Sequence, residues 1–310
     1  MNSGAKIDLI VAGEALVDLV ISPDGSVDAA LGGAPYNTAR AASRLGTSVS
    51  FLGTLSNDRF GTMLADQLGS DGVAVLADRT ERPTTLAAAE LDDGGAASYR
   101  FYIDGTSAPQ LTPSSFPTSA SRVLFTGGLG LLLEPMATTL VNLVVSSSDD
   151  TLVMIDVNCR PKIVDDRDAY LAHVDAVLER ADIVKVSDDD LAYLVPGTDP
   201  IVAAEAVLTR GPSAVLVTAG ANTTSIVVEG GRLDVPVPPL TAPLIDTIGA
   251  GDTFGGGLLS WWIATGLGRH DVDIANLGRA VEAAHAAAAV VVTRRGANPP
   301  FRSELPADWS

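Results

Sequence analysis

The sequence predicts a three-layer α/β fold: a mostly parallel sheet covered by helices on both faces, with a small β appendage. Three observations predict it. Short, near-continuously apolar runs recur along the chain, stretches of helical spacing lie between them, and two β segments interrupt the alternation. Strands covered on both faces read as unbroken apolar runs, because parallel strands joined by crossover helices are buried above and below. The strand runs are Leu9–Ala12, Val49–Leu52, Val123–Thr126, Leu152–Val157, Ile183–Val186 and Ala214–Thr218. The helical stretches are Asn37–Leu45, Arg59–Gly69, Met136–Ser146, Asp168–Arg180 and Pro200–Arg210.

The interrupting segments are Thr84–Leu91 and Ala97–Ile103, flanking Asp92-Asp93-Gly94-Gly95, whose residues favour the positive φ of a hairpin turn. Ala15–Ile21 followed by Pro23-Asp24-Gly25 reads as another strand and turn. Segments of about 15–33 and 82–106 are therefore placed together as a small projecting sheet, a lid or an oligomer contact; an edge extension of the main sheet is the alternative. After Thr218 come two β-like runs, Thr224–Glu229 and Leu233–Val237, joined by Gly230-Gly231. Pro236–Pro243 leads into a glycine-rich segment, and Phe254–Ala264 and Ile274–Val292 read as long apolar helices. No internal repeat appears, and residues 1–310 are expected to form one domain.

With 310 residues and 46% apolar composition, a large core is expected and disorder is not. A formal charge of −18 argues against nucleic acid and anionic membrane as partners, since both repel an acidic surface. The single cysteine, Cys159, excludes an intrachain disulfide and reads as a small buried hydrophobe after an apolar strand. With no apolar signal core and no run of eighteen apolar residues, the protein is expected in the cytoplasm.

The chemistry concentrates in Asp246-Thr247-Ile248-Gly249-Ala250-Gly251-Asp252-Thr253-Phe254-Gly255-Gly256-Gly257. Glycines let backbone approach a ligand, and a helix starting near Thr253 would present N–H groups and a dipole to an anion. A carboxylate inside such a site would repel phosphate, but it can take a proton from a hydroxyl that attacks phosphate. The competing reading is a capped glycine-rich turn with Asp252 as N-cap. Neither a Gly-x4-Gly-Lys-Ser/Thr loop nor a Gly-x-Gly-x-x-Gly after the first strand is present.

Asp-Thr-Ile-Gly-Ala-Gly-Asp-Thr-Phe resembles the C-terminal signature of the PfkB (ribokinase-like) carbohydrate kinases. A segment similar to their N-terminal signature runs Gly32-Gly33-Ala34-Pro35-Tyr36-Asn37-Thr38-Ala39, then Ala42 to Gly46. Between the signatures, Phe51-Leu52-Gly53, Asp58, Phe60-Gly61 and Gly72-Val73 are spaced as in that family. The resemblance covers essentially the whole chain. It implies a ribokinase-like fold with a β lid, Asp252 as catalytic base, and an anion hole from the N–H groups of Gly249, Ala250 and Gly251.

For the sugar, the resemblance implies Asp18 as the hydroxyl-binding carboxylate, with Gly32, Gly33 and Asn37 as the contact loop. Asn37 would also serve as a helix N-cap. Asp156-Val157-Asn158-Cys159-Arg160 resembles an Asp-x-Asn-x-Arg element, placing Asn158 at the floor and Arg160 on substrate or phosphate, or in a structural salt bridge. For ATP and its Mg²⁺, Lys185, Ser187 and Asp190 occupy the family's Asn-x-x-Glu region, with Ser and Asp replacing Asn and Glu. Thr218 and Gly220 would lie along the nucleotide and His285 near adenine, whereas His173 and His270 read as surface residues. A K⁺ site would use Asp246, Ile248, Val291, Arg294 and Gly296, mainly through carbonyls; Pro300 stands where ribokinase has a serine ligand.

Gly13-Glu14-Ala15-Leu16-Val17-Asp18-Leu19, the Gly-Gly-Ala-Pro-x-Asn loop and Lys-Val-Ser-Asp resemble fructokinases more than ribokinases. Arg100-Phe101-Tyr102, then Asp104 and Ser107-Ala108, is similar to fructokinases and to 2-keto-3-deoxygluconate kinases, and puts Tyr102 at the substrate. The latter kinases usually carry an arginine where this chain has Ile103, so a neutral sugar is expected. Fructose leads, with ribose, ketodeoxygluconate and a nucleoside behind it. A non-catalytic sugar or nucleotide sensor on the same fold, and a dehydrogenase-like fold lacking its fingerprint, are the readings of other classes. Pairing of two lids would give a homodimer.

Overall fold

The computed structural model of the chain describes residues 7–91, 97–116 and 121–309. First come β1 (Leu9–Ala12), β2 (Leu16–Ile21), β3 (Val27–Gly32), α1 (Ala34–Arg44), β4 (Val49–Leu52), β5 (Thr54–Ser56) and α2 (Arg59–Ser70). Next are β6 (Ala74–Val75), β7 (Asp78–Thr80), β8 (Leu86–Leu91) and β9 (Ala97–Tyr102). The middle holds β10 (Val123–Gly127), α3 (Met136–Val145), β11 (Leu152–Asp156), α4 (Arg167–Leu178), β12 (Ile183–Ser187) and α5 (Asp188–Leu194). Last are α6 (Pro200–Leu208), β13 (Ala214–Thr218), β14 (Thr223–Val228), β15 (Gly231–Pro236), α7 (Ala250–Ala264) and α8 (Ile274–Val291).

Among the described residues the main sheet has nine strands in the order β15-β14-β13-β12-β11-β10-β1-β4-β6. Pairing is parallel from β6 to β13 and antiparallel at β14 and β15. Alternate residues of β1 supply two different cores, as the period of a strand requires. Leu9 and Val11 pack with α1, α2, α7 and α8, whereas Ile10 and Ala12 pack with α3 to α6. That is the expected three-layer architecture. No helix among the described residues is long and apolar enough to cross a membrane.

A second sheet, ordered β3-β2-β8-β9, is separate from the first, which decides against an edge extension. The turn expected at Asp92–Gly95 lies outside the described residues. Three features exceed the sequence reading. β3 carries Asp28, Ala29 and Ala30, poor strand formers, and takes its form from pairing with β2. β5 and β7 make a two-stranded pair too short to show a period. α5 spans seven residues and opens on three aspartates, which suit a helix start.

Two helix starts differ from expectation. α1 begins at Ala34 with Pro35 in its first turn, so Gly33, not Asn37, is the N-cap. α7 begins at Ala250 behind Gly249 at φ 76°, a left-handed conformation that favours glycine. Asp252 therefore sits inside the first turn, and the N-cap reading of it falls.

These helices meet at their small residues. A Cβ on Gly256 would fall 2.7 Å from the Ala41 Cβ and 2.9 Å from the Thr38 carbonyl of α1. Gly256→Ala is expected to cost about 3 kcal/mol through overpacking against backbone that cannot yield. Urea unfolding measures it, and a loss under about 0.5 kcal/mol would show that the interface relaxes.

Candidate active site

The ends of β10, β11 and β12 stand side by side, with Gly127 opposite Asp156 and Asp156 opposite Lys185. In parallel α/β sheets such C-terminal strand ends form the ligand crevice. A cavity of about 590 Å³ opens here, roofed by the small sheet through Asp18, Val20, Ala87, Ala89 and Phe101. Its walls include Glu14, Gly33, Asn37, Asp156, Asn158, Arg160, Lys185, Gly249, Gly251 and Asp252.

At the centre, the Asn37 amide Nδ2 donates to Asp252 Oδ2 at 2.8 Å. These residues stand 215 positions apart, one in each signature. Burial pushes the Asp252 carboxyl up to about 7, and the Asn37 hydrogen bond moderates the rise. Among the described residues Asn37 Oδ1 and Asp156 Oδ1 are buried without a hydrogen-bond partner, so each has acceptor capacity for a ligand. Asp18 is pushed up by burial to about 6 and has Arg160 as its electrostatic counterweight. A Cβ on Gly32 would lie 2.3 Å from Asp18 Oδ2, so a larger residue there would push the carboxylate aside.

At the start of α7, Ala250 N already donates to Thr247 O at 3.2 Å. Among the described residues no such bond is recorded for the amides of Gly249, Gly251 or Asp252. The Asp252 amide thus joins the candidate anion donors, and that of Ala250 is partly engaged. Lys185 is buried and pairs with Asp156 Oδ2 at 2.8 Å, close beneath Gly251. Burial pulls its ammonium down, yet the Asp156 carboxylate beside it, with Asp190 and Asp252, more than offsets this and raises it. Lys185 is a buried ion-pair member that still lines the cavity, not a free strand-end lysine.

Asn158 holds a positive φ of 43°, which asparagine tolerates, and receives Arg160 Nη1 on its Oδ1 at 2.6 Å. Among the described residues Arg160 has no carboxylate within ion-pair distance, which removes the structural salt bridge that was the alternative to a substrate or phosphate contact; it bonds Asn158 and the Cys159 carbonyl instead. Cys159 is buried and its thiol is pushed up by burial to about 12, as suits a packing residue.

Other expectations need correction. Tyr102 is 51% exposed and faces away from the cavity; its neighbour Phe101 faces in. Ile103 lines a second cavity of about 360 Å³ and not the main one, so its lack of charge says nothing about the sugar pocket. Ser187 and Asp190 form a capping box for α5, and Asp190 also accepts from Cys159 N at 2.6 Å. Both Asp190 oxygens are therefore occupied by backbone amides. His285 is buried against Phe254, with Nε2 2.9 Å from Thr224 Oγ1, outside the main cavity. His173 is only 22% exposed and contacts Glu134 at 3.2 Å, whereas His270 is exposed as expected.

Thr218 pairs in register with Ser187 and bonds the Val186 carbonyl at 3.3 Å, and Gly220 turns the chain at φ 57° just beyond. Asp246 accepts from Ile248 N at 3.0 Å and Gly296 N at 2.8 Å, which brings three of the expected cation residues together. The Val291 carbonyl receives Arg294 N at 3.0 Å. The adjoining loop is strapped to α1: Arg40 bonds the Ala297 carbonyl at 3.0 Å while Arg40 and Arg44 share Asp71. Sequence reasoning named Glu14 only within the Gly13–Leu19 segment and gave it no role, and it gave none to Asp156 or Phe101, although all three line the cavity.

The arrangement can hold an alcohol between Asn37 and Asp252 and an anion at the start of α7, the geometry of a kinase for small alcohols. The "pfkB family carbohydrate kinase" pattern matches residues 4–304, so the chain belongs to that family and is an ATP-dependent sugar kinase. It is 31% identical over 260 residues to a fructokinase of Rhizobium leguminosarum bv. trifolii, covering 81% of this chain and 78% of that one. A crystal structure of fructokinase with bound ATP from Xylella fastidiosa superimposes with a TM-score of 0.87 at 25% identity, over 97% and 96% of the two chains. A Vibrio cholerae O395 fructokinase with fructose, ADP and calcium ion bound gives 0.82 at 25% identity, over 94% of each.

Proposed function

We propose that the chain transfers the γ-phosphoryl of MgATP to a hydroxymethyl group of a neutral sugar, fructose, in one in-line step. The Asn37–Asp252 contact carries this reading, because it holds a buried carboxyl beside an amide whose oxygen has no partner among the described residues. The sugar binds with two hydroxyls on Asp18, its backbone-facing edge against Gly32 and Gly33, and another hydroxyl on Asn37 Oδ1. Asn158 forms the floor. Asp252 then accepts the proton of the attacking hydroxyl. The amides of Gly249, Gly251 and Asp252, with some help from Ala250, stabilise the charge on the moving phosphoryl, and Lys185 and Arg160 add positive charge.

A neutral sugar is supported by the cavity's own charge balance. Four carboxyls, Glu14, Asp18, Asp156 and Asp252, line it beside three cations, Arg160, Lys162 and Lys185, so no net positive charge awaits an acidic substrate. In this reading Mg²⁺ enters with the ATP phosphates. In this reading Thr218 and Gly220 flank the nucleotide, and the Asp246–Gly296 cluster takes K⁺. Ribose and ketodeoxygluconate are the alternative substrates, and a non-catalytic sensor the alternative function. The decisive experiment measures ADP release with fructose, ribose, ketodeoxygluconate, tagatose, inositol and adenosine, each in K⁺, Na⁺ and choline buffers. Turnover with fructose and activation by K⁺ are expected; no ADP with any acceptor would leave the sensor.

The whole chain is read as one cytoplasmic kinase domain, with the four-stranded sheet as its lid. The lid's outer face bears Val27 and Tyr102, 54% and 51% exposed, which suits lid-to-lid pairing in a homodimer. Sedimentation at micromolar concentration is expected to give twice the chain mass, and a monomer there would refute the pairing.

A further inference from the structure

Glu14, in the turn after β1, is a cavity carboxyl that the kinase reading leaves without a task. It is 2% exposed, and its partners are backbone amides rather than cations. Oε1 accepts from Ala34 N at 3.2 Å and Oε2 from Gly130 N at 3.1 Å. Neighbours are cut back to make room: a Cβ on Gly128 would fall 2.9 Å from Oε1, and one on Gly33 2.7 Å from the Glu14 carbonyl. A buried carboxyl costs free energy that an apolar filler of the same size would not, so space filling is a poor account of it. Ala34 opens α1, and Asn37 follows in the next residues of the same turn. Gly130 lies in the short helical turn Gly128–Leu131 after β10.

We propose that Glu14 is a positioning residue of the kinase reaction: its two amide bonds lock the first turn of α1 to the turn after β10, so that Asn37 meets both the sugar and Asp252. This rests on the kinase reading. Burial pushes the Glu14 carboxyl up to about 8, and the Ala34 N–H and the Arg160 charge hold it back.

Glu14→Gln keeps the size but turns an NH₂ toward one of the two N–H donors. The KM for sugar is expected to rise about tenfold, the effect of one lost hydrogen bond, with the KM for ATP unchanged. In the sugar-free protein, the Asn37 side-chain amide is expected to exchange slowly with solvent in the wild type and fast in the variant. Glu14→Asp keeps the acceptors but is one methylene short, so it should fall between the two, and it serves if the glutamine variant does not fold. Sugar and ATP constants moving together, or an unchanged Asn37 amide in a folded variant, would overturn the proposal. The exchange measurement needs no sugar, so a wild type that phosphorylates none would sink the kinase reading while Glu14 is still decided.

Discussion

Asp252→Asn is expected to lower kcat by about 10²–10⁴-fold while leaving the sugar KM nearly unchanged. The amide is isosteric and still accepts the Asn37 hydrogen bond through its oxygen, so the cavity keeps its shape; only the proton acceptor is lost. The pH dependence gives a second signature. Burial holds the Asp252 carboxyl near 7 in the empty site, and the base works only when ionised. The wild-type rate at saturating ATP should therefore be flat above pH 7 and fall about tenfold per unit below it. The variant should lose that limb. A variant that keeps near-normal turnover, or a wild-type limb centred below pH 5, would remove Asp252 as the base.

Asp18→Ala is expected to raise the sugar KM by about 10²-fold or more, with the KM for ATP unaffected. Two hydroxyls donating to one carboxylate contribute about 1.5–3 kcal/mol each, part of which water recovers in the truncated cavity. Asp18 is held near 6 by burial, so sugar affinity should weaken as pH falls through 6 and the carboxylate becomes a carboxylic acid. Titration calorimetry with the best acceptor, with and without a non-hydrolysable ATP analogue, measures this directly. If affinity were independent of pH between 5 and 8, the sugar would have to bind elsewhere in the cavity.

Strand positions were legible because burial on both faces writes itself as unbroken apolar runs. Leu9–Ala12, Val49–Leu52 and Ala214–Thr218 coincide with the observed strands. The glycine-rich segment and Asn37 were legible through paired signatures, which a single motif would not have supplied. Side-chain direction was not. Whether Phe101 or Tyr102 faces the cavity depends on the register of β9 against β8, and adjacent aromatic residues leave that parity open. The Lys185–Asp156 pair is a cross-strand contact between neighbouring parallel strands, invisible to local spacing. Ser187-x-x-Asp190 did carry a local signal, that of a capping box, and the structure shows this to be its use. His285 stands among alanines on one long helix, a setting in which burial in a core is the simpler outcome.

The meeting of Asn37 with Asp252 has a kinetic consequence. Its partners lie 215 residues apart, on helices packed against the same face of a mostly parallel sheet, so closing it requires nearly the whole topology to be in place. No half of the chain contains both Asn37 and Asp252. During refolding, catalytic activity should return only with the slowest phase, after the fluorescence change that reports burial of Trp262 in α7. In this enzyme turnover is a clock for the last step of folding.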